Sequence, residues 1–456
     1  MKLNTKRTML VGLAFLSICI FWQMYDSVMT LILTDTFHLN ETIAGAVMAA
    51  DNVLALFLLP LFGALSDKTN TRIGRRMPYI IGGTAAAVAL MNLLPVLDNA
   101  YAASPSPLIL GLFIAVLALL LVAMGVYRSP AVALMPDVTV KPLRSKANAI
   151  INLMGSAGGI LVLVLGMVFA TASVRNALMS YTAYFAVIAA IMLTALVIFL
   201  LTVREPEWVA QMVEDSVRYG LEDKPAEAEQ LAENADVAEP AAAAEPAQPQ
   251  KQGLSPEEKK SMIFILLSIV LWFFGYNAVT SKYSVYASNI LHKDYNLTLI
   301  IAQAAAIISY LPVGMIASKV GRKKTIRAGV IMLAAAFGVA AFLRDNSPSM
   351  LMNAMFALAG IAWATINVNS FPMVVEMCSE QDVGRYTGLY YTASMAAQVA
   401  TPMLSGLLMD KLGMTVLFPY AAVFSALALV SLHFVHHGDS RPEAKKGLDA
   451  LEDMDN

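Results

Sequence analysis

Residues 63–77 read GALSDKTNTRIGRRM, with one acid, Asp67, and four basic side chains, Lys68, Arg72, Arg75 and Arg76. The runs on either side, 42–66 and 77–97, hold a single charged residue, Asp51. About 20 apolar residues are needed to cross about 30 Å of hydrocarbon. The stretch therefore reads as a short charged loop between two membrane-crossing helices. Composition extends that reading to the whole chain. Of 456 residues, 58% are hydrophobic and 14% charged, against about 25% charged in soluble domains. In hydrocarbon only helices and closed barrels satisfy their own backbone, and long apolar runs without alternation point to helices.

Hydropathy predicts an all-α polytopic membrane protein with twelve transmembrane helices, near 8–36, 41–66, 78–97, 107–136, 146–172, 178–203, 260–291, 297–319, 325–343, 348–376, 384–409 and 413–436. One side of the predicted topology collects Lys2, Lys6, Arg7, Lys68, Arg72, Arg75, Arg76, Lys141, Arg144, Lys146, Lys319, Arg322, Lys323, Lys324, Arg327, Arg385, Arg441, Lys445 and Lys446. The other side keeps Arg175, Lys293, Arg344 and Lys411. Positive charge stays inside, so both termini are expected in the cytoplasm. The basic N-terminus runs straight into a long apolar segment without a small-residue cleavage site, which fits a first helix rather than a signal peptide. Residues 204–259 centre on Ala, Glu and Pro without aromatics, a composition too poor in apolar surface to fold. The expected organisation is a six-helix bundle over 1–203, a largely disordered cytoplasmic linker over 204–259, a second six-helix bundle over 260–437, and a tail over 438–456.

The halves look related. GMIASKVGRKK, residues 314–324, occupies the slot in the second half that the opening stretch occupies in the first. PDVTVKPLRSKANA (136–149) is echoed by EMCSEQDVGRYTG (376–388), each an acid, a short loop, an arginine and small residues. Transporters are often built from such repeats, with the substrate site between them near the midplane.

Gly63, Asp67, Arg72, Gly74, Arg75 and Arg76 match the G-x-x-x-D-x-x-x-x-R-x-G-R-R signature of the major facilitator superfamily. The fuller wording SDKTNTRIGRRMPYI resembles the glycoside-pentoside-hexuronide and sucrose-type sugar:cation symporters, and LRSKANAIINLMGSAGG (143–159) resembles the sucrose transporters. The resemblance implies two six-helix bundles and sugar transport coupled to a cation, in the bacterial cytoplasmic membrane. It also implies a gating role for the loop motif, with Asp137, Arg144, Gly321, Arg322 and Arg385 as partners and counterparts. Asp67 would bind a neighbouring helix N-terminus or a loop arginine such as Arg144 when the cytoplasmic side is shut. Anchoring of topology is the competing role for the arginines. Melibiose-type members carry acids on helix 2 just before Pro-x-x-Gly, where this chain has the apolar ALFLLPLFG (55–63). That departure favours a proton over sodium.

Ionisable groups inside spans are costly and usually functional, and few occur here. Trp22, Gln23 and Asp26 lie close together on helix 1, and Asp51 and Asn52 lie on helix 2. Counted from the turn at residues 38–39, Asp26 and Asp51 are equally deep, about 18 Å at 1.5 Å per residue. Two carboxylates at one depth repel when both are ionised, so one is a candidate proton carrier. A purely structural role, each acid held by a neighbouring amide, is the competing reading. Arg128 on helix 4, beside Tyr127, lies near the midplane and needs a counter-charge, for which Asp26 or Asp51 is the natural candidate. In the second half, Tyr276, Asn277, Gln303, Tyr310, Trp363, Asn367, Tyr391 and Gln398 supply amides, hydroxyls and aromatic faces suited to a sugar ring. Lys282 is expected to snorkel to the surface.

Other classes of function find little support. Net charge is −2, so nucleic acid is not an expected partner. No phosphate-cradling Gly-Lys loop is present for ATP, and an enzyme, a cofactor or a metal is not expected. Cys19 and Cys378 read as small buried hydrophobes, and the triplets at Asn40 and Asn296 fit a glycosylation pattern that is common by chance. The expected function is a monomeric, proton-coupled sugar symporter, for a glucoside or disaccharide. The alternative is a proton-coupled antiporter exporting drugs, sugars or another metabolite.

Overall fold

The structure, a computed structural model of the chain, describes residues 3–140, 143–171, 181–218, 256–375 and 383–437, without the side chains of residues 145, 311, 318, 375, 383–385 and 387. Among these residues the fold is all helix. The first half comprises α1 (Thr5–Met24), extended by π turns to Thr36, then α2 (Glu41–Lys68), α3 (Met77–Ala103), α4 (Pro107–Asp137), α5 (Arg144–Val168) and α6 (Thr182–Thr202). A short α7 (Glu205–Arg218) follows. The second half comprises α8 (Pro256–Tyr286), continued by a π turn to Leu291, then α9 (Tyr295–Val320), α10 (Arg322–Ala340), α11 (Ser349–Val375), α12 (Val383–Leu412) and α13 (Leu417–His433). Nine of the described segments are long and apolar enough to cross a membrane by length and composition alone, which makes this a multi-pass integral membrane protein.

Two apolar cores hold the molecule. One gathers side chains of α1–α6 from Val11 to Val203. The other gathers α8–α13 from Met262 to Val435, with Leu31 of α1 reaching into it. A small cluster bridges them, Ala149 of α5 against Tyr310 and Val313 of α9 and Ala364 and Val368 of α11. One end of the bundle carries Lys68, Arg75, Arg76, Lys319 and Arg322 at helix termini, and is called here the basic end; the α1–α2 turn marks the far end.

α1 and α8 finish alike. Each passes through a π turn, Ile32–Thr36 and Ala287–Leu291, and then a histidine in the left-handed region, His38 at φ 53° and His292 at φ 51°. Each next helix opens on a side-chain cap. Asn40 accepts from the Ile43 amide at 2.8 Å, and Asp294 accepts from the Asn296 amide at 2.7 Å. Capping satisfies first-turn N–H groups that have no partner within the helix. Asn40 of the first glycosylation-like triplet is thus a helix cap, and Asn296 of the second is buried.

The expected linker over 204–259 is corrected at both ends. Glu205–Arg218 is helical, and residues 256–259 form the first turn of α8; the stretch 219–255 lies outside the described residues, as do Cys378 and the tail from 438. α7 forms because it is amphipathic. Trp208 and Val209 pack on the first core, while Glu207 and Arg204 face out. Its buried Glu205 accepts backbone N–H bonds from Arg75 (2.8 Å), Arg76 (3.0 Å) and Met77 (3.0 Å) at the start of α3. Gly74, at φ 120°, allows that approach, since a Cβ there would strike the Glu205 side chain. Replacing Glu205 with Ala leaves three N–H groups without a partner, each costing about 1–3 kcal/mol where buried. Thermal unfolding of the detergent-solubilised protein should then begin several degrees lower. Glu207→Ala, at an exposed position, should leave it within about one degree.

Candidate functional site

A cavity of about 440 Å³ opens between the halves, walled by α1, α5, α8, α9 and α11. Next to it is a compartment of about 240 Å³ walled by α1, α2, α4, α8 and α12. Trp22, Asp26 and Thr280 line both.

The smaller compartment gathers Asp26, Asp51, Asn52, Arg128, Asn277 and Gln398. The hairpin α1–α2 brings the two aspartates to one depth, and α4 adds the arginine. Asp26 stands on a π turn, Tyr25–Met29, a helix irregularity frequent at functional sites. Asn52 Nδ2 donates to Asp51 Oδ1 at 2.8 Å. Arg128 stacks its guanidinium over the Trp22 ring, 5.4 Å from the centroid, a contact of about 0.5–2 kcal/mol. Neither aspartate reaches ion-pair distance of Arg128. The expected counter-charges thus share its compartment without touching it. Pro402, on the same wall, has no N–H for the Gln398 carbonyl one turn earlier.

The larger cavity is polar in a different way. Trp22, Gln23, Tyr276, Gln303, Tyr310 and Trp363 all line it. Tyr276 and Trp363 stack face to face, 3.7 Å between centroids at 5°. Trp22 Nε1, Asn152 Nδ2, Ser284 Oγ and Gln303 Oε1 have no hydrogen-bond partner within the protein, as does Asn277 Nδ2 in the neighbouring compartment. Buried polar atoms are nearly always paired, so a group of orphans from four helices around one cavity marks a surface made to meet something polar. Gly159 leaves room for Gln303 and Gln23, whose side-chain atoms lie 2.9 and 3.4 Å from where a Cβ would stand. The glycine stripe of α5 therefore shapes a cavity wall as well as a helix contact. Cys19, half-buried, lines the cavity instead of sitting in a core.

Three expected site residues belong elsewhere. Tyr127 is fully buried between helices and donates to the Ala14 carbonyl at 3.4 Å. Asn367 is buried away from both cavities. Tyr391 is exposed, edge-on to Tyr390.

At the basic end, Arg76 is the centre of the loop motif. Its side chain is 5% exposed and meets Asp137 at 2.8 Å, Asp67, Ser66 Oγ and, at 3.4 Å, the Gly63 carbonyl. Arg75 meets the other Asp137 oxygen at 2.8 Å. Burial alone lowers the Arg76 pKa, but Asp137 and Asp67 outweigh it and hold the guanidinium above its ordinary value. Arg144 bonds the Thr139 carbonyl at 3.2 Å and is not the partner of Asp67. Arg72 is exposed. Gly321, at φ 99°, ends α9 and begins α10, where Arg322 stands in the first turn. The Arg385 side chain lies outside the described residues. Glu205, which braces this loop from α7, gave no signal in sequence because acids outside spans look like solvated surface.

Lys282 does not snorkel. It is fully buried at the far end, with Nζ donating to Glu41 Oε2 and to the Glu41 carbonyl, both at 2.8 Å.

A model of the Major Facilitator Superfamily matches residues 11–308 and 265–452. The MFS-type transporter ppzB of Metarhizium rileyi is 26% identical over 125 residues, 27% of this chain and 25% of that protein. The uncharacterized MFS-type transporter MJ1317 of Methanocaldococcus jannaschii is 26% identical over 192 residues, 40% of this chain and 46% of its own length. The matched stretch thus spans less than half the length of either relative. In solved structures the fold recurs in the xylose transporter XylE from E. coli, with TM-score 0.64, 16% identity and 98% of both chains covered. It recurs also in a bacterial homologue of the iron transporter ferroportin, with TM-score 0.67, 14% identity, and 95% and 99% covered.

The cavity assignment is testable without a substrate. In a Cys378→Ala background, Cys19 should react with N-ethylmaleimide in the folded protein, since access governs thiol reactivity. Ser156→Trp, which fills the same wall, should slow the reaction about tenfold or more, while Tyr391→Phe, at an exposed position outside both cavities, should leave the rate unchanged.

Proposed function

The chain belongs to the Major Facilitator Superfamily, and we propose that it is a proton-coupled symporter of a sugar, a glucoside or disaccharide, working by alternating access. It is a transporter and not an enzyme. In the proposed topology twelve helices cross a bacterial cytoplasmic membrane, both termini and the basic end are cytoplasmic, and the protein acts as a monomer. Its fold neighbours are described as a xylose transporter, a nucleoside transporter and a bacterial homologue of the iron transporter ferroportin, so the fold leaves the substrate open. The sugar reading rests on the chemistry of the larger cavity.

The observation that carries it is the pairing of two unlike compartments across a shared wall. The larger has orphan donors and acceptors plus a stacked aromatic platform, the combination that suits hydroxyl groups and the CH face of a sugar ring. Its volume, about 440 Å³, is within the range for small-molecule sites. The smaller holds two carboxylates and one guanidinium, with no ion pair spent between them. With both aspartates ionised it carries a net negative charge; with one protonated it is neutral. A neutral compartment can be enclosed as the carrier changes state, whereas an unbalanced charge sealed from water is costly. Proton binding thereby becomes a condition for moving the loaded carrier. Trp22 and Asp26 belong to both walls, so solute and proton act on the same side chains.

Alternating access requires the sides to close in turn. Contacts between the halves at the far end, Lys282 on Glu41 and Asp410 on the first amides of α2, are of the kind such closing uses.

Purified protein in proteoliposomes should accumulate radiolabelled sugar against its gradient when an inward proton gradient is imposed. Asp26→Asn or Asp51→Asn, whichever removes the proton carrier, should abolish accumulation but keep exchange with preloaded sugar, because exchange need not return the empty carrier. Arg128→Lys should also impair accumulation, since an ammonium lacks the planar group that stacks on Trp22. Accumulation surviving in both asparagine variants would make the acids structural. Proton-driven efflux of the sugar in place of uptake would establish the antiporter alternative.

A further inference from the structure

On the outer side of the second half, α10 and α13 run antiparallel and pack through Phe337 and Phe418, whose ring centroids lie 6.2 Å apart. At the basic end Lys323 Nζ donates to the Val435 carbonyl and ties the start of α10 to the end of α13. The helical period, about 100° per residue, places the other side chains. On α10, Arg327, Ala334 and Gly338 fall between the contact face, marked by Lys323 and Phe337, and the exposed face, marked by Lys324, Ile331 and Ala335. On α13, Ala422, Ala426 and His433 fall likewise between Phe418 and the exposed Val423 and Val430.

A groove therefore runs between the two helices on the side that meets lipid. Its floor is built from small residues, and a Cβ added at Gly338 would meet nothing within 4 Å. From Arg327 to Gly338 it follows about 17 Å of helix, close to the depth of one hydrocarbon leaflet, about 15 Å. Its mouth, at the basic end, is cationic. Lys324 and His433 are exposed there and Arg327 is half-buried. No acid stands opposite them. α10 and residues 413–437 hold no Asp or Glu, and among the described residues no ion pair includes Lys324 or Arg327. In the first half, by contrast, Arg75 and Arg76 are engaged by Asp67 and Asp137.

We propose that this groove binds an anionic phospholipid, with the phosphate held by Lys324, Arg327 and His433 and an acyl chain laid along Gly338 and Ala426. Basic pockets between membrane helices suit such headgroups, and each Lys or Arg near the surface strengthens the attraction. The Arg327 guanidinium can donate to two phosphate oxygens at once, and the His433 imidazole supplies a further N–H. A second copy of the chain fits less well. Small-residue grooves do join helices in membranes, but a two-fold axis along the membrane normal would set these cations beside their own copies. An acidic peptide would match the mouth and leave the apolar floor unused. The proposal is independent of which solute or ion is carried.

Native mass spectrometry of the full-length protein in detergent counts bound lipids as dioleoylphosphatidylglycerol or dioleoylphosphatidylcholine is titrated in. The first phosphatidylglycerol should bind about tenfold or more tighter than the first phosphatidylcholine. Lys324→Gln with Arg327→Gln should weaken it about thirtyfold. Lys6→Gln with Lys260→Gln removes the same charge from exposed positions elsewhere at the basic end, and should change it less than about threefold. Gly338→Leu, which fills the floor and keeps the cations, should weaken it about tenfold. Should Gly338→Leu fold poorly, the two double variants, altered only at positions open to water, carry the comparison. Unchanged binding in Lys324→Gln with Arg327→Gln would overturn the site. Equal loss in both double variants would spread the attraction over the whole basic surface and overturn it too. So would a dimer that Gly338→Leu dissolves, which would give the groove to a second copy.

Discussion

A charge withdrawn from water must be matched, and hydrocarbon makes the penalty for failing severe. In this chain three charge clusters stand at three depths, with the buried Arg76 and Lys282 anchoring the two at the ends. Arg76 with Asp137 and Asp67 ties the basic end of the first half. Asp26, Asp51 and Arg128 share a compartment midway. Lys282 with Glu41 and Asp410 closes the far end. Only the first and last are directly paired. The middle set shares space without ion pairs, and an unpaired set is one whose protonation or ligation can still change. Matched pairs at the ends hold shape, and the unmatched set between them is free to respond.

Much of the architecture was legible because membranes make sequence speak loudly. Runs of apolar residues set helix lengths. Asp26 and Asp51 line one compartment, as the depth arithmetic anticipates, because a tight hairpin fixes the register of α1 against α2. What periodicity could not supply was the facing of aromatic and amide residues. A span that is apolar on every side gives no stripe to separate cavity from neighbour from lipid. Tyr276 and Tyr127 therefore read alike, yet one forms the platform with Trp363 and the other fills a helix contact. Partners distant in sequence were equally invisible. Lys282 and Glu41 are separated by 241 residues, and nothing local to either announces the other. Glu205 was hidden by the composition of the linker beyond it.

The relation between the halves runs deeper than the loop motifs that first showed it. α1 and α8 share a π turn and a left-handed histidine, although FHLNET and LHKDYN have little in common as text. Geometry repeats where sequence has drifted, because the turn must still deliver the chain to a capped helix. Asp35 of one π turn lies near Asn289 of the other, 3.5 Å apart. The two tips thus meet at the far end across the pseudo-symmetry axis.

That symmetry leaves room for seams of different chemistry. The pseudo-equivalent seams α5–α9 and α2–α12 occupy corresponding places between the halves. At the far end the first is held by the hydroxyl and amide groups of Thr171, Tyr295 and Asn296, whereas the second concentrates charge there, Asp410 on the first amides of α2 and Lys282 buried beside it on Glu41. Neutral hydrogen bonds lose little by staying made, whereas separated charges become cheaper once water reaches them. Farther along α2 and α12 stand Asp51 and Gln398, in the compartment that also holds Asp26 and Arg128. The acids of that compartment thus lie on the seam whose charges make it the more responsive to water, which is where a proton has to be exchanged.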